Sequence, residues 1–231
     1  MPATMPAETI WFQPIVDTTT HHIIGHECLS PTTGHSYTRQ LAIRAISEQP
    51  KSAGKCFLNF IPSEIGQPSE LLTDIKPYPG NIVMEAAGCN RNPDIVHLQR
   101  IRDYLHEQGL GLALDDVSDN AEALRLICDV RPDYIKVEAP PRHTTAVRRL
   151  VEIAERLNVC VIAKNVERVS TMEQLREAGI HCMQGSLFGC PSPNRTRDDS
   201  RVLPLELLDC YYAAPVLTNL NKEFLCALGI P

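Results

Sequence analysis

Oxygen-bearing side chains recur in this sequence where apolar runs end or are interrupted. Glu85 follows "NIVM", Asp115 and Asp116 follow "LGLAL", Asn59 interrupts "CFLNFI" and Glu27 lies in "IIGHECL". Hard divalent cations such as Mg2+ prefer oxygen ligands of this kind. A single such carboxylate is more often a helix cap or half of a local ion pair. Four carboxylates and one amide from four separate runs favour a shared metal or ligand site.

Two lysines occupy the same kind of position. Lys136 interrupts the apolar run "YIKVEA", and Lys164 ends the run "NVCVIAK". A metal-bound water next to Lys136 could act as an attacking nucleophile. Two interpretations of Lys164 stay open: its ammonium lies among the carboxylates of the shared site, or it points to solvent or pairs only with Glu167.

These residues require a fold that gathers the ends of several strands. Short apolar runs alternate with amphipathic helical patterns, which predicts βα units with right-handed connections. Eight strands in about 190 residues favour a closed (β/α)8 barrel of the α/β class, whose strands form the ligand site at their C-terminal ends. The predicted strands are "IWFQPIV", "IIGHECL", "CFLNFI", "NIVMEA", "LGLALDDV", "YIKVEA", "CVIAKNV" and "CMQGSLFG".

Four helices are predicted between the later strands. The pattern "PDIVHLQRIRDYLHEQG" has one apolar stripe, with Asp94 near its start and Gly109 after its end. The pattern "STMEQLREAGI" carries a Ser170-x-x-Glu173 capping box, which predicts that this helix begins just after Ser170.

Composition restricts the class of protein. The chain has 231 residues and a formal net charge of -6, which argues against a nucleic-acid surface and predicts no direct nucleic-acid partner. Nine cysteines without a C-x-x-C pair predict reduced thiols in a cytoplasmic protein. No signal peptide and no apolar run near the roughly 18 residues of a membrane span are visible, so we predict no membrane association.

We divide the chain into three segments. Residues 1–9 are predicted to form an N-terminal tail, residues 10–193 the barrel, and residues 194–231 a loop and helices. The last segment either packs on the barrel or lies at an interface, so a homodimer and a protein-partner surface both stay open.

Eight ordered blocks carry a resemblance to a known family. They are "FQPIVD", "IIGHECL", "LNFIPSEI", "IVMEAAG", "LALDDVSDN", "DYIKVE", "VIAKNVE" and "MQGSLFGCPSP". Together they resemble the EAL-domain proteins, bacterial phosphodiesterases and receptors for cyclic di-GMP. The resemblance implies a modified TIM (β/α)8 barrel whose first strand runs against the others. In active members it implies two Mg2+ or Mn2+ ions and the opening of one phosphodiester to give linear pGpG.

The resemblance also assigns roles to individual residues. The implied metal ligands are Glu27, Asn59, Glu85 and Asp115. The implied catalytic residues are Asp116 and Lys136. The implied ligand contacts are Gln13, Glu27 and Gln184.

Three residues depart from the family pattern and disrupt the implied site. Lys164 stands where the family has a metal-directed glutamate, Gly88 replaces a glutamate that braces a loop, and Pro31 replaces an arginine that grips a ligand phosphate. Two charges about 4 Å apart interact by roughly 4 kcal/mol at an effective dielectric near 20, so Lys164 should weaken binding of the second metal. We predict that its ammonium partly replaces that ion, among Asp115, Asp116 and Glu85.

The loops of the ligand face differ from the family as well. The loop that begins at Asp115 reads "DDVSDNAEA", and the segments between Glu27 and Asn59 and after Lys136 are shortened. We therefore predict a degenerate EAL domain that regulates cyclic di-GMP signalling through a protein partner, cyclic di-GMP binding or both. It would need no cofactor or hold a single weakly bound Mg2+ or Mn2+. The alternative is a weak Mg2+/Mn2+-dependent phosphodiesterase that gives pGpG.

Overall fold

Short strands alternate with helices along the chain. The computed structural model describes residues 10–29, 54–66, 81–89, 93–118, 120–139 and 144–192. The strands in these ranges are β1 (Trp11–Asp17), β2 (His22–Leu29), β3 (Lys55–Phe60), β4 (Ile82–Ala86), β5 (Gly111–Leu114), β6 (Tyr134–Glu138), β7 (Cys160–Lys164) and β8 (Cys182–Gln184). The helices are α1 (Ile95–Glu107), α2 (Ala121–Val130), α3 (Thr144–Arg156) and α4 (Val169–Glu177), with a 3-10 turn at Pro62–Glu64.

The eight strands close into one barrel in sequence order. Strands β2 to β8 pair in parallel, whereas β1 is antiparallel to both of its neighbours, β2 and β8. The predicted eight-stranded α/β barrel with an antiparallel first strand is thereby confirmed. In such a barrel, the C-terminal ends of β2 to β8 and the beginning of β1 meet at the same rim.

The connection between β1 and β2 explains the reversed direction of β1. Only a four-residue turn separates the strands, and a turn this short can join only antiparallel neighbours. Asp17 Oδ1 accepts hydrogen bonds from the backbone N–H groups of Thr19 at 2.8 Å and Thr20 at 3.3 Å. This Asx-type turn fixes the reversal.

Alternation along the strands produces two apolar cores. Outward side chains such as Phe12, Leu58 and Met84 pack in the core that includes the helices. Inward side chains fill the barrel itself with a smaller cluster, which comprises Ile15, Phe57, Val83, Ala113 and Ile162. The next inward position on several strands, closer to the C-terminal rim, is polar. The apolar cluster therefore forms the floor of a polar layer.

The ends of the helices follow local hydrogen-bonding rules with one exception. Asp94 caps α1 by accepting from His97 N, and Asn120 caps α2 by accepting from Ala123 N. The capping box predicted at Ser170 is wrong. Helix α4 begins at Val169 with Arg168 as its N-cap and without a side-chain cap bond, so Ser170 already lies inside the first turn.

Several predictions lie outside the described residues. These are Pro31, the tail at residues 1–9, the segment at residues 194–231 and most of the two shortened connections, at residues 30–53 and 140–143. In the ranges that the structure describes, no helix is both long enough and apolar enough to cross a membrane.

Candidate functional site

The strand ends bring the sequence-predicted polar residues into one layer above the apolar floor. Its members lie on different strands or directly after them, and most are buried. They are Gln13, Glu27, Asn59, Glu85, Asp115, Lys136 and Gln184. Buried polar groups cost free energy unless they are hydrogen-bonded, so the partners of each group decide how the layer is held together.

Glu27 is the hub of this layer. Its Oε1 accepts a hydrogen bond from Asn59 Nδ2 at 2.8 Å. Its Oε2 accepts from Lys136 Nζ at 2.8 Å and from Gln184 Nε2 at 2.6 Å. Burial by itself would raise the pKa of Glu27, but the Lys136 charge and these hydrogen bonds lower the pKa to about 2. Glu27 is therefore an anion at neutral pH.

Lys136 lies between Glu27 and Glu85 and is fully buried. Its Nζ is 2.6 Å from Glu85 Oε2 and 5.6 Å from the centre of the Phe57 ring. Burial opposes its charge, but the neighbouring carboxylates raise the pKa of Lys136 above its ordinary value. The ammonium keeps its proton at neutral pH.

Glu85 is the weaker partner of that ammonium. Burial raises the pKa of Glu85 to about 8, since the Lys136 charge is opposed by the charges of Glu27 and Asp115. One ammonium between two carboxylates neutralises one of them, and it donates a hydrogen bond to Glu27. The folded protein therefore holds a proton on Glu85 more tightly than a free glutamate would.

Gln13 and Gln184 join β1 to β8 at the edge of the layer. Gln184 Nε2 donates to Gln13 Oε1 at 2.9 Å, and Gln13 Nε2 donates to the carbonyl of Gly189 at 3.2 Å. The chain can turn after Gln184 because residue 185 is glycine: a Cβ there would lie 2.1 Å from the carbonyl oxygen of Val166. Gly185 thus positions the Gln184 amide.

A second cluster lies at the rim beside this layer. Lys164 Nζ donates to Asp115 Oδ1 at 2.8 Å and also to Asp116 Oδ1. Burial would lower the pKa of Lys164, but the two aspartates raise it to about 12. Asp116 has a left-handed backbone at φ 54°, which turns the chain after Asp115 and brings both carboxylates to the end of β7. Asp115 N and Val117 N remain bonded to β4 and β6, at Ala86 O and Lys136 O.

The position of Lys164 corrects one interpretation and refines another. The idea that Lys164 points to solvent or pairs only with Glu167 is wrong, because its ammonium binds both aspartates. Of the three expected neighbours, Glu85 pairs with Lys136 instead. The site therefore contains two lysine-centred clusters, one around Lys136 and one around Lys164.

Gly88 lies in the turn that follows β4. Its φ is +75°, in the left-handed region, and a Cβ built on it would meet no atom of the described residues within 4 Å. The backbone conformation, rather than lack of space, favours glycine at this position.

Two buried oxygens of this layer are the kind of atom that a divalent cation would satisfy. They are Asn59 Oδ1 and Glu85 Oε1, which have no hydrogen-bond partner among the described residues. Across the described ranges, however, no three His, Cys, Asp or Glu side chains cluster closely enough to hold a metal ion. These two oxygens are the donor atoms available to one ion, and Lys164 already holds the aspartates where a second ion would need them.

Two further polar or aromatic residues at the rim were not predicted. Asn165 Nδ2 donates to Glu138 Oε1 at 2.6 Å and links the ends of β6 and β7. Trp11 lies two residues before Gln13 on β1. The two-residue period of a strand would have indicated that Trp11 faces the same side as Gln13.

Comparison with known proteins identifies a consistent set of relatives. The family model described as the EAL domain matches residues 35–191, beginning downstream of Gln13 and Glu27. The probable cyclic di-GMP phosphodiesterase PdeD of Escherichia coli (strain K12) is 28% identical over 104 residues, which are 42% of this chain and 20% of that protein. The chain thus spans about a fifth of this relative's length.

Solved structures show the same fold. The YkuI protein of Bacillus subtilis has an EAL domain and was solved in complex with its substrate cyclic di-GMP and calcium. It matches with a TM-score of 0.72 at 16% identity, over 88% of this chain and 61% of that one. A standalone EAL protein from Vibrio cholerae O395 in its cyclic di-GMP-bound form matches with a TM-score of 0.65 at 24% identity, over 82% of this chain and 94% of that one.

Proposed function

Because the chain belongs to the EAL-domain family, we propose that it regulates cyclic di-GMP signalling by binding cyclic di-GMP, a protein partner or both, without efficient turnover. The observation that carries this proposal is the pair of ion pairs that the Lys164 ammonium makes with the carboxylates of Asp115 and Asp116.

Lys164 supplies the positive charge that a second metal ion would otherwise bring to these aspartates. A divalent ion near the ammonium would be repelled: even unit charges about 4 Å apart interact by roughly 4 kcal/mol at an effective dielectric near 20. A metal would first have to displace a side chain that two carboxylates hold.

Lys136 supports the same conclusion. A general base must release its proton near neutral pH. Lys136 is buried, paired with Glu27 and Glu85, and has a raised pKa, so it holds its charge. Its contribution is to keep Glu27 in place by charge and hydrogen bonding.

One ion would be held by the residues of the polar layer. The candidate ligands are Glu27, Asn59, Glu85 and Asp115. A metal ion bound there would supply polarisation of a phosphoryl oxygen and a lowered pKa of bound water. Glu27, the shared partner of Asn59, Lys136 and Gln184, would orient these ligands.

A weak Mg2+/Mn2+-dependent phosphodiesterase is the second candidate function. It is favoured by one observation: the buried oxygens Asn59 Oδ1 and Glu85 Oε1 have no hydrogen-bond partner in the part of the chain that the structure describes. If one ion is sufficient for slow turnover, these two atoms are where it binds.

Calorimetric titration of cyclic di-GMP in the presence of Mn2+, followed by assay of the cell contents for pGpG, separates these functions. A regulatory receptor gives binding heat without pGpG. A phosphodiesterase gives pGpG that disappears with chelator and in Glu27→Ala. A domain that acts only through a protein partner gives neither heat nor pGpG.

Two further parts of the proposal concern the segment at residues 194–231 and the location of the protein in the cell. We expect a protein partner, a homodimer or both to use the segment at residues 194–231. We also expect the protein to be cytoplasmic, because nine cysteines without a C-x-x-C pair are typical of reduced thiols. Size-exclusion chromatography with light scattering of the full chain and of a chain ending at residue 193 would test the role of the last segment.

A further inference from the structure

Trp11 stands at the mouth of the polar layer. It is the only tryptophan of the chain and the first residue of β1. Along β1, Phe12 and Val16 face the outer core, whereas Ile15 belongs to the inner cluster. Trp11 has the same phase as Gln13 and Ile15, so it is on the lumen side. Because β1 is antiparallel, its first residue lies at the rim where the other strands end.

The indole is exposed although its backbone is held on both sides. Its exposed fraction is 37%, and among the described residues only Val96, on α1, is another large apolar side chain classed as exposed. Trp11 pairs with Leu29 of β2, and the next residue, Phe12, exchanges backbone hydrogen bonds of 2.9 and 3.1 Å with Ser192. The backbone of Trp11 is thus held in place at the rim, and its side chain is partly exposed to solvent there.

A polar amide lies next to that aromatic surface. Gln13 is the next inward residue, about 7 Å further along the strand. It is half-buried, its Oε1 accepts from Gln184 and its Nε2 donates to Gly189 O. Counted over the described part of the chain, these bonds leave one N–H and one lone pair of the Gln13 amide available. A flat aromatic surface next to a donor–acceptor edge is the combination that recognises a nucleobase.

We infer that Trp11 is a stacking platform for a purine base of the bound nucleotide, with the Gln13 amide at the edge of that base. The inference rests on the nucleotide-binding part of the proposed function, and it identifies a residue that holds the ligand. Stacking on Trp11 is independent of the metal and of Lys164, so it persists whether or not the nucleotide is hydrolysed.

The single tryptophan provides a direct test in the full-length chain. Cyclic di-GMP is titrated into the wild type, and binding is followed by calorimetry and by tryptophan emission, both with chelator present. We expect quenching that saturates with the same dissociation constant as the heat. This readout requires no substitution and is therefore unaffected by folding of variants.

Two substitutions then separate stacking from bulk. Trp11→Leu should weaken binding by about 5- to 150-fold, since base–aromatic stacking is worth about 1–3 kcal/mol per base. Trp11→Phe should weaken it less, because a ring remains. Val96→Leu, which alters the other exposed apolar residue, is the control and should leave the affinity unchanged.

Each outcome decides the inference. Heat without quenching, together with wild-type affinity in Trp11→Leu, overturns the platform while nucleotide binding stands. Absence of binding to the wild type overturns the platform and the nucleotide-binding function together. A Trp11→Leu variant that binds nucleotide normally but changes its oligomeric state makes Trp11 an interface residue and also overturns it. Formation of pGpG in Mn2+ contradicts the non-catalytic function and leaves the platform intact.

Discussion

Lys164 Nζ lies 2.8 Å from Asp115 Oδ1, although the two residues are 49 positions apart in the sequence. The bond joins the end of β7 to the turn that follows β5, and Asp116 binds the same ammonium. A positive charge carried by the chain therefore lies beside both aspartates, one of which, Asp115, the family resemblance implies as a metal ligand. The predictions below follow from this relationship and from the parallel arrangement around Lys136.

Replacing Lys164 should destabilise the fold because it leaves Asp115 without its counter-charge. We expect Lys164→Met to lower the free energy of unfolding by about 1–3 kcal/mol, less than the 3–5 kcal/mol of a fully buried broken pair. The discount reflects exposure, since the Lys164 and Asp116 side chains are 17% and 42% exposed. Denaturant unfolding measures the change.

A double substitution provides the control for this experiment. Lys164→Met combined with Asp115→Asn removes both charges and should recover part of the loss. If the loss of unfolding free energy in the double variant equals or exceeds the summed losses of the two single variants, the two residues do not act as a charge pair.

Replacing Lys136 should have a larger effect. Lys136→Met leaves the Glu27 carboxylate buried beside Glu85 without a cation, so we expect a loss of about 3–5 kcal/mol in the free energy of unfolding. Adding Glu27→Gln should restore part of it. A loss below about 1 kcal/mol for Lys136→Met would show that the buried ammonium is not paired as described.

The free energy of unfolding should decrease at alkaline pH because of Glu85. Its folded-state pKa of about 8 is above its ordinary value of 4.5, so the folded state binds this proton more tightly than the unfolded state. The resulting stabilisation is fully present below about pH 4.5 and is lost as the pH rises through about 8. Urea unfolding in chelator, compared at about pH 6 and pH 9, measures the loss.

Glu85→Gln is the matched variant for the pH experiment, since it keeps the shape of the side chain and removes the titration. We expect it to lose less stability than the wild type over the same pH interval. Equal pH dependence of the two proteins would assign the alkaline loss to another group.

Gly88 should respond to backbone conformation rather than to side-chain contacts. Gly88→Ala should lower the free energy of unfolding by about 1–2 kcal/mol, because its φ of +75° disfavours a Cβ although no described residue would contact that atom. Gly88→Asn should cost less, since asparagine tolerates this region. Thermal unfolding of both variants measures the order, and an alanine variant as stable as the wild type would contradict it.

The sequence was sufficient to predict the strands because each is an apolar run of the expected length. It was less informative about where they end. The run "LGLALDDV" continues into apolar Val117, but β5 stops at Leu114, because the left-handed backbone of Asp116 turns the chain. The predicted start of α4 was also wrong. The Ser170 pattern lies within the helix, and Arg168 precedes the helix without a side-chain cap bond.

The site residues could be predicted only as a group. Strand-end position brought Glu27, Asn59 and Lys136 together on one rim, as the barrel requires. Their pairing could not be deduced, because the distribution of two lysines among four carboxylates depends on side-chain reach across the lumen. Glu85, for example, was expected near Lys164 but forms an ion pair with Lys136.

The most direct test of the central claim is the Mn2+ affinity of Lys164→Glu, measured by calorimetry against the wild type. Lys55→Glu is the control, since it makes the same charge change at the first residue of β3, at the opposite end of the barrel from Asn59. If Lys164 replaces a metal ion, Lys164→Glu binds Mn2+ more tightly than the wild type and Lys55→Glu does not. Unchanged Mn2+ affinity in Lys164→Glu would contradict the claim.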